Sequence, residues 1–272
     1  MLTANKMQKS ISFIGAGKMA TALISCIYSK NLAKSIIASD KHEETLKKIK
    51  KQFNIKTTTD NKEAVKSSDI VFICVKPQDV DKVLYEIKDA AKNQLIVSIA
   101  AGITIKHIQS ILKNKKIIRV MPNINCIAGE IAAGFSAGKY AGKEDINCVS
   151  EILNSAGKAF LIDESLLDAV TALSGSGPAF FAYFIKAMAE AAIKNGLPRD
   201  IAFELAAQTA LGTGKMLLGK GISADELIGM VASKKGTTEA GLKILEENKA
   251  YDITIKAINA AVKRSKELGK QQ

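Results

Sequence analysis

From Ser10 to about Leu161, short runs of β-branched and other apolar residues alternate with stretches of helical periodicity, and this alternation narrows the possible folds more than any other feature of the chain. Strands separated by helix-length segments pair in parallel, with the crossover helices covering the sheet. The runs Ile11 to Ile14, Ser35 to Ala38, Ile70 to Val75, Leu95 to Ile99, Ile117 to Val120 and Ala159 to Ile162 are the candidate strands, enough for a doubly wound sheet. Beyond Asp163 the strand signals stop. The remainder reads as helices punctuated by glycine and proline at Ser174 to Pro178, Gly196 to Pro198 and Lys234 to Gly236. The pattern predicts an α/β protein with an N-terminal doubly wound Rossmann domain over residues 1–163 and an all-helical domain over residues 164–272.

Size and composition exclude more than they assign. A chain of 272 residues, 47% apolar and 24% charged, can bury one large core or two modest ones, which excludes wholesale disorder. The net charge of +12 raises the question of nucleic acid, but the basic residues are spread along the whole chain. Its densest runs, Lys47-Lys48-Ile49-Lys50-Lys51 and Lys113-Asn114-Lys115-Lys116, fall on expected helices or their ends and lack interleaved aromatics for base stacking. They read as solvated surface with a mild attraction for anionic substrates and cofactors. Cys26, Cys74, Cys126 and Cys148 form no CxxC pair and the chain has two histidines, so neither a zinc site nor a disulfide framework is expected and a reducing cytoplasm fits. No apolar stretch before the first strand is long enough for a signal peptide. The most apolar later segment, Pro178 to Ile193, is too short to span a bilayer and carries Lys186 and Glu190.

The first candidate strand runs into Ile14-Gly15-Ala16-Gly17-Lys18-Met19-Ala20, a GxGxxA pattern that opens a helix. In a strand-turn-helix unit Gly15 permits the tight turn, Gly17 lets the backbone approach a pyrophosphate, and Ala20 allows close helix–strand contact. The N–H groups of the first helical turn then face the phosphates of a dinucleotide. At the end of the second strand the signals are mixed. Asp40 could accept from a free ribose 2′-hydroxyl and so favour NADH, whereas Ser39, Lys41 and His42 could hold a 2′-phosphate; the balance favours NADPH, with NADH possible. Two further strand ends, Val75-Lys76-Pro77 and Ala100-Ala101-Gly102, lie on the edge where open α/β sheets bind ligands, and their proline and small residues suit contact with a flat nicotinamide ring. Asn61 is either a helix cap or a cofactor contact.

The helical half has few charges on its longest pattern, Ala179 to Ile193, and small residues at Ala182, Ala187, Ala189, Ala191 and Ala192. Such a helix packs on several sides, either within its own monomer or by completing its core against a second copy; the expectation is a homodimer formed through this half.

Three stretches resemble the pyrroline-5-carboxylate reductase family, in order along nearly the whole chain: the Gly15 loop, Asp168-Ala169-Val170-Thr171-Ala172-Leu173-Ser174-Gly175-Ser176-Gly177-Pro178-Ala179, and Gly236-Thr237-Thr238-Glu239-Ala240-Gly241-Leu242. Val75-Lys76-Pro77 and Arg119-Val120-Met121-Pro122-Asn123 are similar to the family as well. The resemblance implies an NAD(P)H-dependent reduction of a cyclic imino acid to L-proline. It implies that Ile14, Gly15, Ala16, Gly17, Lys18, Met19, Ser39, Asn61, Val75, Lys76 and Ala101 line the cofactor, and that Glu164, Thr237 and Thr238 surround the substrate. It also implies that the helical half of one subunit completes the site of its partner, with dimers joined into larger rings. Independently, Gly236-Thr237-Thr238 reads as a helix start whose N–H groups can cradle a carboxylate, with simple N-capping as the competing reading. Thr238 is then the hydrogen-bond partner of the ring nitrogen and Ser233 a lesser catalytic candidate beside it; no metal is required.

The match departs from the family at two loops. Ser233-Lys234-Lys235 stands where relatives carry Pro-Gly after the serine, and a positive φ at Lys235 would cost about 1 kcal/mol or more. Met121-Pro122-Asn123-Ile124-Asn125 lacks the usual Thr-Pro after the asparagine. Rival readings are a β-hydroxyacid-type dehydrogenase, in which Lys186 would be the general base, and a nucleotide-binding scaffold that has lost turnover.

Overall fold

Phe13 and Phe72 stack with ring centroids 4.9 Å apart, each on a strand buried on both faces, and they mark the centre of the sheet. The computed structural model describes residues 9–219 and 221–270; the reading of the N-terminal leader concerns residues 1–8, which lie outside them. In chain order the first part comprises β1 (Ser10–Ile14), α1 (Lys18–Ser29), β2 (Ser35–Ser39), α2 (Glu43–Phe53), β3 (Lys56–Thr58), α3 (Asn61–Lys66), β4 (Ile70–Ile73), α4 (Val80–Ile87), β5 (Leu95–Ser98), α5 (Ile105–Ile111), β6 (Lys116–Met121), β7 (Ile131–Ala137), α6 (Lys143–Asn154), β8 (Gly157–Leu161) and α7 (Leu167–Val170). After a single π turn, Thr171–Gly175, come α8 (Gly177–Lys194), α9 (Arg199–Gly219), α10 (Ala224–Val231), α11 (Thr237–Glu247) and α12 (Ala250–Lys270).

The strands form one sheet in the order β3-β2-β1-β4-β5-β6-β7-β8. The chain therefore moves outward from β1 to β3 and then returns past β1 to build the other wing, so β1 and β4 flank the switch point at which such sheets bind ligands. One apolar cluster joins Leu23, Ile24 and Ile27 of α1, Leu46 and Ile49 of α2, and Val149 and Ile152 of α6 to the sheet. A second joins Val65 of α3, Val83, Leu84 and Ile87 of α4, and Ile108 and Ile111 of α5. These clusters establish the doubly wound α/β architecture, followed by helices alone.

Two strands were not foreseen from the sequence. β3 is a three-residue edge strand, Lys-Thr-Thr, with too little apolar text to register. β7 reads Ile-Ala-Ala-Gly-Phe-Ser-Ala, small residues of weak strand propensity that nonetheless fit a crowded slot: a Cβ on Gly134 would lie 3.0 Å from Ile162 and from Val170. The segment joining β6 to β7 is shorter than the dozen or so residues a parallel crossover needs, so these two strands run antiparallel and β8 then pairs parallel with β7.

The chain separates into two compact units, one running to Ser176 and resuming at Ala261, the other from Gly177 to Ala260. Within the first unit, Ser265 near the end of α12 donates from Oγ to Asp168 Oδ1 at 2.6 Å. The second unit has a small core. Among the described residues its buried apolar cluster is Ala189, Ala202 and Ala206, while Phe181 and Tyr183 on α8 are 68% and 71% exposed. No helix among the described residues is long and apolar enough to cross a membrane.

Gly157 has φ +147°, and an added Cβ there would fall on the backbone N and O of Ile131. Gly157→Ala is expected to lower stability by at least about 2 kcal/mol, read as a reduced urea midpoint at unchanged m.

Candidate functional site

The carboxyl ends of β1, β2, β4 and β5 gather most of the residues predicted to hold a cofactor. Gly15 leaves β1 with φ +90°, a conformation closed to most side chains, and a Cβ on it would lie 2.9 Å from the Cys74 carbonyl and from Val75 Cγ1. Its N–H donates to Ser39 O at 2.8 Å, and Cys74 N donates to Ile14 O at 2.7 Å. Thus the glycine turn is pinned on one side by the end of β2 and on the other by the end of β4. Burial pushes the Cys74 thiol well above its usual range, so it stays protonated and serves as packing beneath the loop.

Gly17 is the N-cap of α1, has no side-chain cap, and is followed by no acidic residue in the first turn. A Cβ on Gly17 would meet nothing within 4 Å, so the helix N-terminus is open to an approaching anion. Ala16 is buried, Gly17 and Lys18 are exposed, and Met19 is half-buried. This arrangement fits a dinucleotide pyrophosphate: an N-terminus without its own cap, a backbone that no Cβ blocks, and a cation beside it.

Asp40 holds the loop in place. Its Oδ2 accepts from Ala16 N at 2.8 Å, while Oδ1 accepts from His42 N and from His42 Nδ1, both at 2.9 Å. Partial burial by itself would raise the carboxyl pKa, but these hydrogen bonds outweigh it and leave the group below its ordinary 3.8. Ser39 is fully buried and donates to Asn61 Oδ1 at 2.7 Å, and Asn61 Nδ2 donates to Glu86 Oε2 at 2.9 Å. Asn61 is the first helical residue of α3, not its cap; Asp60 caps that helix, accepting from Lys62 N and Glu63 N. The capping reading of Asn61 therefore passes to its neighbour. Lys76 is exposed, and Pro77 occupies the first position of a 3-10 turn, Pro77–Asp79, that leads into α4. Ala101 is exposed and precedes Gly102, which has φ +79°.

Glu164 belongs to the same unit. Its Oε1 accepts from Ile105 N at 2.8 Å and from Arg119 Nη1 at 3.0 Å, and Arg119 is 6% exposed. Removing either partner would strand a charge in or near the core. Sequence reasoning had assigned no role to Arg119, Asp40 as a loop clamp, or Glu86; no local spacing in the sequence links them to their partners.

In the second unit, Ser233, Gly236, Thr237 and Thr238 come together on one turn. Gly236 N donates to Ser233 O at 2.9 Å, and Gly236 is the N-cap of α11, which Thr237 begins. Lys235 sits at φ +59° in this turn, the left-handed conformation that favours glycine, and its N–H donates to Glu239 Oε2 at 2.6 Å.

A glycine turn at the switch point of a doubly wound sheet is the arrangement that binds dinucleotides, and here helices with exposed apolar residues follow it. The family model described as NADP oxidoreductase, coenzyme F420-dependent, matches residues 10–102, and the model described as pyrroline-5-carboxylate reductase dimerisation matches residues 164–268. The chain is 42% identical over 267 residues to a pyrroline-5-carboxylate reductase of Methanosarcina acetivorans, covering 97% of this chain and 99% of that one. A solved pyrroline-5-carboxylate reductase from Coxiella burnetii superposes with a TM-score of 0.91 at 33% identity, covering 96% of this chain and 98% of the other. The Plasmodium falciparum pyrroline carboxylate reductase with NADP bound gives 0.87 at 30% identity, covering 97% and 100%. The chain belongs to the pyrroline-5-carboxylate reductase family.

Two variants probe these local arrangements. Because the Asp40 pKa is depressed in the folded protein, its contribution is present above the unfolded value of 3.8 and lost as pH falls through the folded value. Asp40→Asn should melt below wild type near about pH 6, and the gap should narrow as pH falls below 3.8, as followed by thermal scans. Lys235→Gly should raise stability by about 1 kcal/mol by relieving the positive φ.

Proposed function

We propose that this protein is a pyrroline-5-carboxylate reductase, reducing 1-pyrroline-5-carboxylate to L-proline at the expense of NADPH. The observation that carries the reading is the open glycine turn wedged between the ends of β2 and β4, in a chain similar over 97% of its length to a reductase of that name. The division of labour at residue 163 belongs to the same reading: residues 1–163 bind the dinucleotide, and residues 164–272 bind substrate and assemble the dimer, with dimers further joined in a ring. The substrate is a small molecule, not nucleic acid or a membrane, and the reaction takes place in the cytoplasm.

The bound nicotinamide supplies a hydride to the imine carbon of the substrate ring. The chain has to position the two rings and favour the protonated nitrogen. Gly17, Lys18 and Met19 offer the backbone N–H groups of the α1 N-terminus to the pyrophosphate, and Ile14, Gly15 and Ala16, whose own N–H groups are engaged within the fold, shape the turn beneath it. Val75, Lys76, Pro77 and Ala101 border the nicotinamide, whereas Ser39 and Asn61 serve the adenosine end. Preference for NADPH is supported by Asp40: its carboxylate already holds Ala16 and His42, leaving exposed Lys41 and His42 beside the ribose position to meet a 2′-phosphate. Gly236, Thr237 and Thr238 present the opening turn of α11 to the substrate carboxylate. Thr238 hydrogen-bonds the ring nitrogen, Ser233 assists beside it, and Glu164 acts at the border of the substrate. After hydride transfer the nitrogen keeps its proton and the product is a secondary amine.

Thr238→Ala should lower kcat more than about tenfold while leaving the cofactor Kd unchanged, as expected for a contact strengthened in the transition state. The test is cofactor oxidation in the presence of 1-pyrroline-5-carboxylate: wild-type protein inert with both NADPH and NADH would sink the reading, and normal turnover in the variant would remove Thr238 from it.

A further inference from the structure

Asn61 bridges two elements that do not otherwise need it. Its Oδ1 receives the Ser39 hydroxyl at the end of β2, and its Nδ2 donates to Glu86 on α4. Ser39 has one proton to give; its Oγ lies 2.7 Å from Asn61 and 3.4 Å from Phe13 O, so the amide is the principal acceptor. A hydroxyl can donate or accept, so Ser39 alone would accept either orientation of the Asn61 amide. A carboxylate only accepts. Glu86 thus breaks the degeneracy: the NH₂ group must face α4, the carbonyl must face β2, and the hydroxyl must point along the same direction.

The rest of α4 does not explain Glu86. Val83, Leu84 and Ile87 bury themselves in the core beneath the sheet, whereas Glu86 is half-buried and directed to Asn61. Helix capping does not explain Asn61 either, because Asp60 does that work. An amide carries two N–H groups and two lone pairs, and with one of each engaged the remaining N–H and lone pair are fixed in direction. We infer that Glu86 is a positioning residue for the cofactor: it sets the orientation in which Asn61 presents its remaining donor and acceptor to the adenosine ribose. This inference rests on the reading above that Asn61 belongs to the cofactor edge.

The test is steady-state kinetics of the full-length assembled enzyme with NADPH varied, using Asn61→Ala, Glu86→Ala, Glu86→Gln and the double alanine variant. Glu86→Ala should raise the cofactor KM roughly three- to tenfold with kcat at saturation within about twofold, the range set by one oriented hydrogen bond. Glu86→Gln can meet either amide orientation and should fall between wild type and alanine. Acting through Asn61, the Glu86 change should add nothing in the double variant beyond Asn61→Ala alone. A wild-type KM in both Glu86 variants, or effects that multiply in the double variant, overturns the inference while leaving the cofactor edge in place. A wild-type KM in Asn61→Ala overturns the edge itself and the inference with it. If Glu86→Ala does not fold, Glu86→Gln decides by the same KM-against-kcat split.

Discussion

The contact on which the first unit turns is the approach of Gly15 to the Cys74 carbonyl and Val75. Strand β1 can leave the sheet there only because no Cβ intervenes, and the departure places a helix N-terminus at the one gap where the strand order reverses. Hydrogen bonds from Gly15 N to Ser39 O and from Ala16 N to Asp40 draw the end of β2 into the same knot. Ser39, Asn61 and Glu86 then extend it to α3 and α4. Loop, helix N-terminus and the Ser39–Asn61–Glu86 chain are consequently one hydrogen-bonded unit, and a loop tied down in this way leaves binding energy for orientation and not for ordering.

Much of this was legible in the sequence. Parallel strands buried on both faces are apolar along most of their length, so the runs at Ile11, Ile36, Ile70, Leu95 and Ile117 announced themselves, and the glycine spacing located the turn that follows the first of them. Strands held by small residues did not: β7 fits its slot through Gly134 and alanines, and its identity depends on Ile162 and Val170, which lie far along the chain. The direction of β7 followed from a loop length, a weaker signal than composition.

Site residues divide in a similar way. Positions defined by backbone conformation, such as Gly15, Gly17 and Lys235, could be read because the residue type itself encodes the constraint or its violation. Positions defined by partnership could not. Nothing local to Asp40 announces its hydrogen bond to Ala16 N, 24 residues back; Glu86 and Arg119 find partners 25 and 45 residues away, Asn61 and Glu164 respectively, that no local periodicity connects.

The meagre alanine core of the second unit has a consequence for how the protein behaves in a population of molecules. Helices with so small a core and with Phe181 and Tyr183 exposed draw stability from assembly, and stability gained by assembly rises with the number of copies present. A defective copy made beside a sound one would be drawn into the same assembly, and damage on these helices would be shared by chains that do not carry it.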